Sequence, residues 1–363
     1  MPPALRYLSI CAMLLVAPAF LLRADEPPPY PDHARLMVYR DEQNAEQAVR
    51  NADDWAIRRG HILQGMQQAM GPLPDRANLP PLDVGVLEET EEEGYTRQSI
   101  RFTSEGNDRV SAYLLLPKHR AGRGPAMLCL HQTTNVGKGE VCGLGGNPNL
   151  HYAKELAQRG YVVLAPDYPS FGDYPYDFLA DDYVSGTMKG IFNHMRCVDL
   201  LQARDDVDGE RIGVIGHSLG GHNALFVAAF DERLKAVVSS CGWTPFHDYY
   251  EGNIAGWTSD RYMPRLRDDY GLDPDRVPFD FYEVVAALAP RAFFTCSPTG
   301  DDNFAVAGVQ KALPVAADVY RLLGAEAALV ARYPESGHDF PPETRREAYE
   351  FVDRALRHEP TGR

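Results

Sequence analysis

The stretch Arg211-Ile212-Gly213-Val214-Ile215-Gly216-His217-Ser218-Leu219-Gly220-Gly221-His222 decides the fold. Ile212 to Gly216 is short and apolar, which predicts a buried strand, and His222 to Phe230 predicts a helix. Only one tight turn separates them, and it has the form Gly-x-Ser-x-Gly. A side chain at Gly216 or Gly220 would clash in so tight a turn. The strained turn projects the Ser218 hydroxyl from the sheet edge. The Leu219 N–H, at a helix N-terminus, is placed to donate to a developing oxyanion.

A serine hydroxyl is a poor nucleophile without a base. The run Val330 to Tyr333 predicts the last strand, and Ser336-Gly337-His338-Asp339-Phe340 follows it, so His338 is the candidate base. A third group, an acid after the preceding strand, would fix the imidazole tautomer and stabilise its charge. Arg291 to Ser297 predicts that strand, and Asp301 and Asp302 follow it. Asp302 is preferred because Phe304, two residues on, suits the return of the chain. Asp301 stays as the alternative, the other aspartate capping the turn. His131 and His217 are read as residues that shape backbone.

Outward from this centre, apolar strands alternate with helices from Ala126 to Leu356. The pattern predicts an α/β fold with a mainly parallel central sheet covered on both faces. Leu82–Glu88, Tyr95–Thr103 and Val110–Pro117 read as an antiparallel opening, with the acidic run Glu88 to Glu93 in a solvated turn. Residues 33 to 70 read as helix, stopped by Gly71-Pro72. Residues 25–81 are therefore expected to be a proline-rich linker and an N-terminal helical extension. Residues 82–358 are expected to form the catalytic domain. About residues 242–289 the alternation lapses into an aromatic-rich segment, read as a lid insertion over the ligand edge of the sheet. Trp243 and Phe246, just after a strand, are the candidate substrate-binding wall.

The order Ser218, Asp302, His338 resembles that of the α/β-hydrolase superfamily, over about residues 82 to 358. Within it the chain resembles the dienelactone-hydrolase and acetyl-xylan-esterase-like group. The phrases that carry this are Arg159 to Asp167, Ala289 to Phe294 and Gly337 to Pro341. Ala289-Pro290-Arg291 also resembles prolyl-oligopeptidase and glucuronoyl-esterase-like catalytic domains. The resemblance implies an α/β-hydrolase fold and a second oxyanion donor after Leu128-Cys129-Leu130-His131. That donor is the N–H of Gln132 or Thr133, with Thr133 preferred. Two departures stand out. Dienelactone hydrolases proper use cysteine where this chain has Ser218. Prolyl oligopeptidases carry a large β-propeller, for which the segment before the sheet is too short.

The chain has 363 residues, 44% hydrophobic and 24% charged, and a net charge of −15. That charge disfavours nucleic acid and anionic lipid as partners, and no basic stripe offsets it. Arg6, the apolar run Tyr7 to Leu22 and the small residues Ala17 and Ala19 predict a signal peptide over residues 1–24 and hence export. No later segment is apolar enough to span a membrane. Cysteines after residue 24 are expected as buried free thiols. No C-x-x-C or H-E-x-x-H occurs, so neither metal nor cofactor is expected. The Gly137 to Gly146 loop lacks a phosphate-cradle pattern and reads as a flexible active-site rim. The expected function is a serine carboxylic-ester hydrolase that forms an acyl-enzyme on small-molecule or glycan esters, with acetylated carbohydrate suggested by the aromatics. A peptidase or acyl-aminoacyl hydrolase with the same triad is the alternative. A non-catalytic binding protein on the same fold is the second.

Overall fold

The structure, a computed structural model, describes residues 28–118 and 122–360. The expected signal peptide lies outside them. The chain opens with a two-stranded antiparallel hairpin, β1 (Val38–Arg40) and β2 (Glu46–Ala48), followed by helix α1 (Ala52–Met70). The helix expected over residues 33–70 is thus correct only from Ala52. Two polar side chains divert the chain before it. Asp41 Oδ1 accepts from the N–H groups of Gln43 and Ala45 and closes the hairpin turn. Asn51 then accepts from Asp54 N–H and caps α1.

The main sheet has nine strands. They are β3 (Gly85–Glu91), β4 (Tyr95–Thr103), β5 (Arg109–Pro117), β6 (Gly124–Leu130), β7 (Val162–Pro166), β8 (Val207–His217), β9 (Leu234–Ser240), β10 (Ala292–Cys296) and β11 (Leu329–Arg332). Their spatial order is β11-β10-β9-β8-β6-β7-β5-β4-β3. The β3–β5 meander is antiparallel and β5 joins β7 antiparallel; β7, β6, β8, β9, β10 and β11 run parallel. This is the α/β-hydrolase architecture expected from the sequence.

The helices that follow α1 are α2 (Lys138–Val141), α3 (Tyr152–Gln158), α4 (Gly186–Gln202), α5 (Leu219–Phe230), α6 (Arg265–Asp268), α7 (Phe281–Ala286), α8 (Val306–Leu322) and α9 (Pro342–Ala355). Alternate strand residues enter two separate cores. Ala126, Leu128 and Leu130 pack with α1, α4, α5, α7 and α8. Met127 and Cys129 pack with α3 and α9. Burial on both faces explains why these strands are apolar without alternation. Helix α8 escaped the sequence reading because Pro314 interrupts its pattern. Its buried Val309, Ala312, Leu313, Ala316 and Val319 nevertheless keep helical spacing. All five cysteines among the described residues are buried and unbridged.

The N-terminal segment is fastened to α7 by a buried ionic cluster. The Glu283 carboxylate meets the Arg58 guanidinium and, at 2.8 Å, His33 Nδ1. It also accepts from Asp280 N–H at 3.0 Å, completing the capping box of α7. Arg58 stacks on Tyr30, 3.5 Å from the ring centroid. Replacing Glu283 by alanine leaves Arg58 buried without its counter-charge, and urea unfolding is expected to show a loss of about 3–5 kcal/mol. Part of that loss depends on pH. Burial pushes the His33 imidazole down, but Glu283, with Asp280 and the Val277 carbonyl, together outweigh it, so its pKa is raised. The His33 contribution is therefore fully present below the unfolded value of about 6.5 and fades as pH rises through the folded value. The deficit of Glu283→Ala is expected to be larger at about pH 5.5 than at about pH 8.5.

Candidate active site

Strand β8 and helix α5 meet at Ser218, whose backbone is left-handed, with φ +52° and ψ −117°. A non-glycine residue held there is strained, and the surrounding contacts must enforce it. They do so through absent side chains. A Cβ on Gly216 would collide with the Gly220 carbonyl, and one on Gly220 with the Leu130 carbonyl at the end of β6. A Cβ on Gly221 would press on Gly242 after β9. Ser218 N–H donates to the Ser240 carbonyl at 2.9 Å, and His222 N–H donates to the Ser218 carbonyl at 3.1 Å. The turn is thus locked between the ends of β6 and β9, and Ser218 remains 9% exposed at its tip.

His338 lies in the loop after β11. Its Nδ1 donates to Asp301 Oδ1 at 2.9 Å. The same oxygen accepts from the N–H groups of Asn303 at 2.9 Å and Phe304 at 3.1 Å. Burial raises the Asp301 carboxyl, and the contact with His338 and these two N–H donors lower it by more, so it is held below its usual value. The preference for Asp302 is therefore corrected: Asp302 is exposed, and Asp301 faces His338. The sequence reading divided the turn cap and the histidine partner between two aspartates, whereas one carboxylate serves both.

Thr133, Ser218 and Leu219 come together around one small cleft of about 70 Å³. Thr133 Oγ1 is hydrogen-bonded to the Tyr262 hydroxyl at 3.1 Å. His222, Trp257 and Phe304 form further walls of that cleft. Trp243 and Phe246 do not reach it. Trp243 is buried and its indole N–H donates to Thr295 Oγ1 at 3.1 Å. Phe246 is buried among Phe279, Phe281 and Trp257. The expectation of a substrate wall at these two residues is thus corrected. They support the insertion from below, and Tyr249, Trp257 and Tyr262 supply its cleft-facing side.

Several supports escaped the sequence reading. The glycine-rich loop is pinned rather than a free rim. Lys138, 2% exposed, pairs with Asp167 at 2.6 Å and Asp173 at 2.7 Å, and its N–H donates to Asp167 Oδ1. Glu140 accepts from Gln132 Nε2 at 3.1 Å, beside Thr133. Asp339, next to His338, accepts from the amides of Asn147 at 3.0 Å and Asn149 at 2.6 Å. One loop thus braces both the Thr133 turn and the His338 turn. His131 accepts from Tyr168 N–H at 2.9 Å and is buried, consistent with a backbone role. His217 bonds Ser240 Oγ at 3.0 Å, and burial pushes its pKa down to about 3. The position of His222, one helical turn after Ser218, could have flagged it in the sequence, because i and i+4 share a face.

The prolyl oligopeptidase family model matches residues 149–358, more than half of the chain. The chain belongs to that family. Its members' α/β-hydrolase core makes this protein a serine hydrolase, with strand β8, helix α5 and the turns after β10 and β11 inside the matched region. Among curated proteins, YtaP of Bacillus subtilis (strain 168), named only as a hydrolase, is 28% identical over 301 residues, covering 79% of this chain and 96% of YtaP. Carbohydrate esterase MZ0003, from an unknown prokaryotic organism, is 26% identical over 203 residues, 49% of this chain and 46% of that protein. Among solved structures, a glucuronoyl esterase from Solibacter usitatus superposes with a TM-score of 0.67 at 18% identity, over 91% of this chain and 99% of that one. That likeness shows a shared fold.

Carboxylates at positions 301 and 302 are separable by the reactivity of Ser218. Asp301→Asn is expected to slow labelling of Ser218 by a fluorophosphonate by about 10³- to 10⁴-fold. Asp302→Asn is expected to change the rate by less than about threefold, since the side chain is exposed. Time-resolved intact-mass measurement reads both.

Proposed function

We propose that this prolyl oligopeptidase family member is a carboxylic-ester hydrolase that works through an acyl-enzyme on short acyl groups carried by carbohydrate. The observation that carries the reading is the cleft at Ser218: small, walled by aromatic rings, and free of Asp, Glu, Lys and Arg among the described residues that line it. A peptide substrate held by its terminal amine would require a carboxylate there. Aromatic faces with neutral hydrogen-bonding groups suit sugar. About 70 Å³ is far below the roughly 300–1,000 Å³ of a pocket for a drug-sized ligand, which suits a short acyl group.

In this mechanism Ser218 attacks the ester carbonyl while His338 takes its proton, then returns it to the leaving alcohol. Asp301 holds His338 with Nδ1 protonated, leaving Nε2 to act as base. The N–H groups of Leu219 and Thr133 stabilise the oxyanion. Water then attacks the acyl-enzyme by the same proton path in reverse, so neither metal nor cofactor enters a step. The signal-like sequence of residues 1–24 supports an exported enzyme. No helix among the described residues is long and apolar enough to cross a membrane.

Hydrolysis of p-nitrophenyl esters from acetate to octanoate, beside aminoacyl p-nitroanilides, tests the proposal. The acetate is expected to give the highest kcat/KM among the esters. Ser218→Ala is expected to lower it by about 10⁴-fold or more. Faster turnover of the anilides than of any ester would contradict it in favour of a peptidase.

A further inference from the structure

Two residues that line the cleft carry polar atoms that the mechanism above does not use. His222 Nδ1 and Trp257 Nε1 are both buried without a hydrogen-bond partner. The rings that carry them line the cleft beside Ser218 and stand 4.7 Å apart between centroids. Both are almost enclosed, His222 at 5% and Trp257 at 4% exposure. Two orphaned groups so close together are unusual, because buried polar atoms are nearly always paired. Leaving each unpaired is costly, and a ligand that completes them recovers that cost as binding.

The chemistry of the two atoms restricts the ligand. Indole N–H only donates. The His222 imidazole is kept neutral by burial, which pushes its pKa down to about 3, so Nδ1 either donates or accepts. No Asp, Glu, Lys or Arg among the described residues lines the cleft, so nothing there balances a charged group. A hydroxyl has the chemistry to complete both atoms, accepting from one and donating to the other. The aromatic faces of Trp257 and Tyr262 would cover the carbon that bears it.

We infer that His222 and Trp257 form a hydroxyl-reading subsite beside the nucleophile, so that the preferred substrate carries a neutral hydroxyl close to the scissile ester. This deepens the esterase reading and rests on it. The hydroxyl has two sources with the same chemistry. It belongs either to the acyl group, as in a hydroxyacyl ester, or to the sugar alcohol.

Two substrate pairs distinguish these sources. One compares p-nitrophenyl glycolate with p-nitrophenyl acetate, each corrected for its uncatalysed rate. The other compares the acetyl ester of a methyl glycoside with that of the deoxy glycoside lacking the neighbouring hydroxyl. In at least one pair the hydroxylated ester is expected to win in kcat/KM by roughly 10- to 100-fold. Trp257→Phe and His222→Leu should each bring that ratio towards one. A merely structural role would lower both members of a pair alike and leave the ratio unchanged, which would overturn the subsite. Ratios near one in wild type would overturn it as well, while leaving the esterase reading intact. Failure to hydrolyse any ester would instead overturn the esterase reading. Calorimetric binding of the methyl glycoside and its deoxy counterpart to Ser218→Ala then decides the subsite without turnover: tighter binding of the hydroxylated form upholds it, and equal binding overturns it.

Discussion

The whole site depends on how closely three backbones approach one another at the end of β8. Gly220 lies against the Leu130 carbonyl of β6, Gly216 against the Gly220 carbonyl, and Gly221 against Gly242 after β9. No side chain fits at any of these positions, and the packing around them holds Ser218 at φ +52°. The strain is local, of order 1–3 kcal/mol. It is met by a sheet buried on both faces, where adjacent strands cannot yield independently. The same turn opens α5, so the hydroxyl, the Leu219 N–H and His222 are positioned by one constraint.

The remaining groups reach this point from loops at the same edge of the parallel sheet, where open α/β sheets bind ligands. The turn after β10 brings Asp301 and the turn after β11 brings His338. Backbone hydrogen bonds join the two turns, Thr299 N–H to the Pro334 carbonyl and Gly300 N–H to the Ser336 carbonyl. The loop after β6 is held by Lys138 on Asp167 and reaches across to Asp339 through Asn147 and Asn149. Loops usually move more than strands. Here each one is tied to another by polar contacts, which limits how far the groups can drift apart.

The legible parts of the sequence are those governed by local rules. Strand β9 at Leu234–Ser240 and the Gly-x-Ser-x-Gly turn announce themselves through continuous apolar runs and glycine placement. Asp301 and Asp302 are neighbours of identical chemistry, and only the fold reveals which one turns inward. Trp243, Phe246 and Trp257 are likewise indistinguishable as aromatics of one insertion, yet packing sends the first two into the core and leaves the third at the cleft. The hairpin at residues 38–48 and helix α8 were obscured by a side-chain-capped turn and an internal proline, respectively. These misreadings do not disturb the site, because neither element contributes a residue to it.

The central claim is that the strained turn makes Ser218 the group that carries the acyl chain. Rapid mixing of the enzyme with p-nitrophenyl acetate, followed by acid quench and peptide mapping, tests it most directly. A burst of nitrophenol approaching one per active enzyme is expected whenever deacylation is the slower step, with acetyl on the peptide that contains Ser218, and no adduct there in Gly220→Ala. Acetyl on another residue, or an unaltered Ser218 adduct in Gly220→Ala, would contradict it.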